Sequence, residues 1–213
     1  MAEEQKLENF LIRQAKKRDI LCYKFKSPSH AGVPDRILIK HGHIIFLELK
    51  APGQTPRPLQ AVTIKKIRKH GGDALWSSDR DEITDLLDGL LTRKPVVYPD
   101  LQAQIDAVTW DESKNPDTRP EHRIEQRLID RAKKLDILCY KFTSPSRAGV
   151  PDRLVIANNK TVFIELKAPG KKPRPQQIER HKEMAAHGAR PVIIDTLDRV
   201  DKILEYMAIP AEG

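Results

Sequence analysis

The segment Ile44-Ile45-Phe46-Leu47-Glu48-Leu49-Lys50 closes an apolar run with a carboxylate and an ammonium two residues apart. Side chains alternate across a strand, so Glu48 and Lys50 share one face and Leu47 and Leu49 the other. Asp35 follows the rigid Val33-Pro34 and opens the preceding apolar segment. A hairpin turning at His41-Gly42 sets the start of one strand beside the end of the next, which brings Asp35 toward Glu48 and Lys50. Two converging carboxylates are hard oxygen donors suited to Mg²⁺ or Mn²⁺. A lysine beside them can hold or deprotonate a metal-bound water, or pair with a phosphate. The same residue types recur as Asp152, Glu165 and Lys167. A partly exposed salt bridge at a strand end would also present Glu-x-Lys, so the pair alone leaves both readings open.

The elements that must position these groups follow from spacing. Residues 4–18 carry Leu7, Leu11 and Ala15 on one face and end in Lys16-Lys17-Arg18, which predicts a helix with cations at its C-terminus. Ile20 to Lys26 predicts a strand, stopped by Ser27-Pro28-Ser29. Asp35 to Lys40 and His43 to Lys50 predict two more. Pro56 to His70 predicts a helix that ends at Gly71-Gly72. Ala74 to Ser77 predicts a short fourth strand, and Asp79 to Leu91 a closing helix. The order α-β-β-β-α-β-α makes a mixed α/β sandwich. The later half repeats it, with Pro191 to Asp195 as its fourth strand.

That repetition is the main organisational fact. LCYKF, AGVPDR and ELKAPG each occur twice, always 117 residues apart, and about half of the positions from 4 to 87 are identical to their counterparts. A period of 117 exceeds any solenoid unit, so a whole small domain is duplicated. The expected division is a first copy at 1–91, an acidic and partly apolar linker at 92–117, and a second copy at 118–213. Net charges of +5 (1–87), −3 (88–117) and +6 (118–213) give the chain its +8. The linker holds Pro95, Pro99 and Pro116, with Pro120 just beyond it, but also Val96, Val97, Tyr98, Ile105, Val108 and Trp110. Part of it is therefore expected to dock on a domain. Runs such as Ile44 to Leu47 are far too short to span a bilayer, for which about 18 residues are needed. Two cysteines make neither a disulfide scaffold nor a four-thiolate zinc site. The N-terminal segment lacks a secretory pattern, so a cytoplasmic location is expected. The basic balance favours a nucleic-acid partner.

Glu8, Gly32-Val33-Pro34-Asp35, Glu48-Leu49-Lys50 and Gln60 together resemble the motif series of the VRR-NUC family, of the PD-(D/E)XK nuclease superfamily. The match spans roughly 4–90 and 121–207, without a departure in either copy. The resemblance implies two tandem restriction-endonuclease-like domains, and the duplication itself leads us to expect them packed as a pseudo-twofold pair within one chain. It implies a phosphodiesterase that acts on DNA with Mg²⁺ or Mn²⁺. Carried over, Glu8, Asp35 and Glu48 with the Leu49 carbonyl, and Glu125, Asp152 and Glu165 with the Leu166 carbonyl, surround the metals. Lys50 and Lys167 position the attacking water. Gln60 and Gln177 support the geometry, although their place in a first helical turn also fits capping. Glu4 and Glu121 lie one turn before Glu8 and Glu125 as possible outer groups or plain solvated charges.

Small homodimeric members of this family resemble structure-selective nucleases, some of them Holliday junction resolvases. A tandem with two complete motif sets looks like such a dimer fused, in a bacterial or phage-infected cell. The expected partner is DNA, four-way junctions first, with flaps, nicks or plain duplex as the alternative substrates. A DNA-binding module without catalysis is the rival of another class, disfavoured because both copies retain both carboxylates and the lysine. Backbone contacts are expected from Lys24, Ser27, Arg36 and Arg57, and from Lys141, Ser144, Arg147, Arg153, Lys171, Lys172 and Arg174. No aromatic platform for stacking single strands stands out. Cys22 and Cys139 are expected to be buried and inert. His70 and His187 each end a helix, which fits a helix-dipole role.

Overall fold

A computed structural model of the chain describes residues 2–108 and 120–210. Trp110, Pro116 and the expected boundary at 117/118 lie outside the described residues. The first copy begins with α1 (Ala2–Lys17), followed by strands β1 (Leu21–Lys24), β2 (Arg36–Lys40) and β3 (His43–Leu49). Helix α2 (Pro58–Lys69) then crosses to β4 (Asp73–Ser77), and α3 (Arg80–Thr92) closes the copy. The sheet order is β1-β2-β3-β4. β2 and β3 pair antiparallel from Arg36↔Leu47 to Lys40↔His43, and β4 runs parallel to β3. His41 and Gly42 both have positive φ, 51° and 82°, as a two-residue hairpin matched to strand twist requires.

The later half repeats the order as α5 (Pro120–Lys134), β5 (Leu138–Lys141), β6 (Arg153–Ala157), β7 (Lys160–Leu166), α6 (Pro175–Ala186), β8 (Val192–Ile194) and α7 (Leu197–Ala208). Between them lies α4 (Leu101–Asp106), a helix the periodicity did not announce. Asp100 caps it, accepting from the Ala103 N–H at 3.1 Å, and Leu101 and Ile105 bury in the core against α7 and β8. The Tyr98 hydroxyl donates to the Gly42 carbonyl at 2.9 Å, which ties the same segment to the first copy.

Strand alternation sorts the core. Leu38, Ile45, Leu47 and Leu49 face α1 and α3, and Val155, Val162, Ile164 and Leu166 face α5 and α7. The opposite sheet faces meet each other: Tyr23, Phe25, Ile37 and Phe46 share one continuous cluster with Tyr140, Phe142, Leu154 and Phe163. Contacts across it are reciprocal. Phe25 meets Tyr140 at 6.2 Å and Tyr23 meets Phe142 at 6.1 Å, while Phe25 and Phe142 meet each other at 5.7 Å. Such edge-to-face pairs each add about 0.5–1.5 kcal/mol beyond the area buried. The His70 ring lies 3.3 Å from Asp136, and the His187 ring 3.1 Å from Asp19. β1 ends at Lys24, two residues before the expected strand end, because Lys26 leaves its own sheet to pair with Thr143 of the other copy.

Candidate active site

β3 carries Glu48 on the face that looks toward α2, fully buried. Its Oε1 accepts from Lys50 Nζ and from Gln60 Nε2. Its Oε2 is buried with no hydrogen-bond partner. Lys50 Nζ also donates to the Leu49 carbonyl at 2.9 Å. Gln60 sits in the first turn of α2, where its Oε1 accepts from the Arg57 N–H at 2.9 Å. Capping and support of the carboxylate are thus done by one side chain. Asp35 Oδ2 accepts from the Leu49 N–H at 3.0 Å, which fixes Asp35 to the end of β3 as the hairpin argument requires.

The second copy repeats each contact. Lys167 and Gln177 both donate to Glu165 Oε1. Asp152 Oδ2 accepts from the Leu166 N–H at 2.9 Å, and Lys167 donates to the Leu166 carbonyl at 2.7 Å. Gln177 Oε1 accepts from the Arg174 N–H at 2.9 Å.

Burial dominates the electrostatics. It pushes the Glu48 carboxyl up to about 7, against the Lys50 bond and with the Asp35 charge adding to the rise. Burial likewise raises Asp35, and pushes Asp152 up to about 6 with the Glu165 charge adding. Desolvated carboxylates close enough to repel call for a counter-cation. Among the described residues no three His, Cys, Asp or Glu side chains form a ligand group. A cation at either site would take Asp35 and Glu48, or Asp152 and Glu165, with the neighbouring Leu49 or Leu166 carbonyl. The orphaned Glu48 Oε2 and this all-oxygen set fit Mg²⁺ or Mn²⁺, which leave other positions to water and phosphate.

Glu8 lines the same cleft as Asp35 and Leu49. Burial pushes its carboxyl up, but Lys24 at 2.8 Å and Arg36 at 2.8 Å together outweigh that and hold it below the ordinary value. Glu125 is held in the same way by Arg153 at 2.8 Å and Lys141 at 3.5 Å. Arg36 and Arg153, expected as phosphate contacts, are therefore buried ties between a helix and β2 or β6. Arg147 is not at the cleft either: it pairs with Glu183 at 2.6 Å and covers the ring of Tyr23 from the other copy. The Ser144 hydroxyl is buried. Arg57, Lys171, Lys172 and Arg174 are exposed. Lys24, Ser27 and Arg57 line a cleft of about 590 Å³ with Asp35 and Gln60, which extends to Lys26 and Thr143. A cleft of about 370 Å³ holds Glu121, Glu125, Lys141 and Asp152.

Sequence reasoning passed over Lys26, which reaches the first cleft from the contact between copies, and His181, whose Nε2 lies 3.5 Å from Glu165 Oε2. The first copy has Ile64 at the position of His181, so comparing the repeats position by position would have marked it. Glu4 and Glu121 do line the clefts. Cys22 and Cys139 are free, and burial pushes both thiols up to about 11, far from a nucleophile's range. No helix among the described residues is long and apolar enough to cross a membrane.

No family model matches the chain. A curated relative described as "Putative nuclease p44", from Acyrthosiphon pisum secondary endosymbiont phage 1, is 44% identical over 79 residues, which cover 37% of this chain and 85% of the relative. A solved structure described as a VRR_NUC domain is 29% identical, covers 41% of this chain and 96% of its own, and has a TM-score of 0.38. With the p44 match beside two complete sets of Gly-Val-Pro-Asp, Glu-Leu-Lys and Gln, the chain belongs to the VRR-NUC family of nuclease-like proteins.

Proposed function

We propose that the chain is a metal-dependent, structure-selective DNA endonuclease, a Holliday junction resolvase with both active sites in one polypeptide, working in the cytoplasm. The observation that carries this reading is the doubled constellation. In each copy a buried glutamate is bound on one oxygen by lysine and glutamine, and an aspartate is pinned to the next peptide. The reciprocal contacts of the shared core support a PD-(D/E)XK pair related by a pseudo-twofold axis. Two sites so related would meet opposing strands of a symmetric junction.

Asp35 and Glu48 would hold a divalent cation, as would Asp152 and Glu165. When bound, it supplies charge for the developing negative charge at phosphorus and makes water more acidic. Lys50 and Lys167 orient the attacking water while holding Glu48 and Glu165. Gln60 and Gln177 fix those carboxylates to the first turns of α2 and α6. In-line attack would leave a 5′-phosphate and a 3′-hydroxyl. Arg57, Lys171, Lys172 and Arg174 would bind backbone phosphates without reading sequence.

The test is strand cleavage of a labelled immobile four-way junction, beside a flap and a plain duplex, in Mg²⁺ and in Mn²⁺. Paired nicks in wild type, single-strand nicks with Asp35→Asn or Asp152→Asn, and none with the double variant are expected. Cutting of flap or duplex alone would remove the junction role, and no cutting of any substrate would favour a binding module.

A further inference from the structure

The two carboxylate sites differ at one position beside the buried glutamate. His181 lies on α6 one turn after Gln177, so both look toward Glu165. Its Nε2 is 3.5 Å from Glu165 Oε2, and both atoms are buried without a hydrogen-bond partner. The equivalent residue on α2 is Ile64, 4% exposed, which has no donor to offer Glu48 Oε2. The side chains that hydrogen-bond the two glutamates, a lysine and a glutamine, are matched between copies, as is the aspartate beside the next peptide, while the neighbour on the parallel strand is Trp76 in one and Ile193 in the other.

We propose that His181 is a positioning residue that makes the second site bind a divalent cation more tightly than the first. The proposal rests on the nuclease reading of these carboxylates. A neutral imidazole with its proton on Nε2 is a donor at that atom. At 3.5 Å the contact is too long for a hydrogen bond, and a closure of about half an ångström brings it to an ordinary N–H···O distance. Glu165 is then held on both oxygens, Oε1 by Lys167 and Gln177 and Oε2 by His181, and the second lone pair of Oε2 stays open to a cation. Its plane is fixed before a cation arrives. Glu48, held on Oε1 alone, keeps a rotation that binding must freeze. Outer partners that orient a ligating carboxylate typically change metal affinity by about 10–100-fold when removed.

The experiment is a Mn²⁺ titration of the full chain, read from the electron paramagnetic resonance signal of free Mn²⁺, with no DNA present. Asp35→Asn leaves the second site to be read, and Asp152→Asn the first. The Asp35→Asn chain is expected to bind Mn²⁺ about tenfold or more tighter than the Asp152→Asn chain. Adding His181→Ile to the former should erase that advantage, while His181→Gln, which keeps an N–H donor, should retain most of it. Adding Ile64→His to the latter should tighten the first site. His181→Ile installs the residue the first copy already packs there, so its fold is controlled by the protein itself. Equal affinities at the two sites, or an unchanged affinity in His181→Ile, would overturn the proposal while leaving the nuclease reading intact. Wild type that binds no Mn²⁺ at all would overturn both.

Discussion

Lys26 and Thr143 exchange two backbone hydrogen bonds, N–H to carbonyl in each direction, at 3.0 Å each. They occupy the same position in their respective copies, so the contact maps onto itself when the copies are interchanged. Phe25 and Phe142, one residue before each, do the same. A contact between equivalent residues is what an isologous pairing produces at its centre.

The shared core predicts one cooperative unit. Phe142→Ala should cost about 3–5 kcal/mol, because the ring is 2% exposed and packs against Tyr23, Phe25 and Phe163. Hydrogen exchange followed by mass spectrometry should show faster exchange in β2 and β3 as well as in β6 and β7. Loosening confined to residues 120–210 would mean that the two cores are independent.

Arg36 and Arg57 should separate stability from DNA binding. Arg36→Met removes two hydrogen bonds to Glu8 and should destabilise by about 2 kcal/mol or more in denaturant unfolding. It should leave the salt dependence of junction binding unchanged. Arg57→Ala should leave the denaturation midpoint nearly unmoved and flatten the plot of log affinity against log salt by about 0.9 per lost phosphate contact.

Glu48 sets a pH dependence in the metal-free chain. Its folded value of about 7 stands well above the ordinary 4.5 of a glutamate carboxyl, so the native state binds the proton more tightly. That contribution to stability is full below about 4.5 and is lost as pH rises through about 7. Thermal midpoints in EDTA should therefore fall for wild type relative to Glu48→Gln between pH 5 and pH 8. Mn²⁺ should reverse the trend, since the cation and the proton compete for the same carboxylate. Parallel pH curves for the two proteins in EDTA would count against a buried, proton-hungry Glu48.

Gly188 and Gly170 offer a matched pair. Both have positive φ, 88° and 72°, so alanine at either meets the left-handed penalty. At Gly170 an added Cβ touches nothing within 4 Å, whereas at Gly188 it would lie 2.3 Å from the Gly42 nitrogen of the other copy. Gly188→Ala should lower the denaturation midpoint clearly more than Gly170→Ala, and equal losses would remove the close approach between copies.

Much of this was legible because strand chemistry is local. Alternation along 44–50 placed Glu48 and Lys50 together, and the His41-Gly42 turn placed Asp35 at the same sheet end. The same alternation, applied to β2, puts Arg36 beside Leu38 on the α1 side, where it is buried behind Glu8 and does not itself line the cleft beside Asp35. Helix α4 had its signals too, a capping Asp100 with Leu101 and Ile105 one turn apart, but the prolines around it read as tether. What could not be read was which residues meet across the two copies. Asp19 and His187 are 168 positions apart, and only the folded chain brings them to 3.1 Å.

The segment through Tyr98 and α4 touches both halves, and in the proposed resolvase each chain would carry its own partner. A pair made from separate chains falls apart on dilution, and its output drops as the square of concentration when monomers prevail. Here the partner's local concentration is set by covalent tethering and does not follow the number of molecules in the cell. Two sites would therefore stay paired at a single copy per cell. Each half can also change its sequence without the other being forced to change with it, as Ile64 and His181 already show.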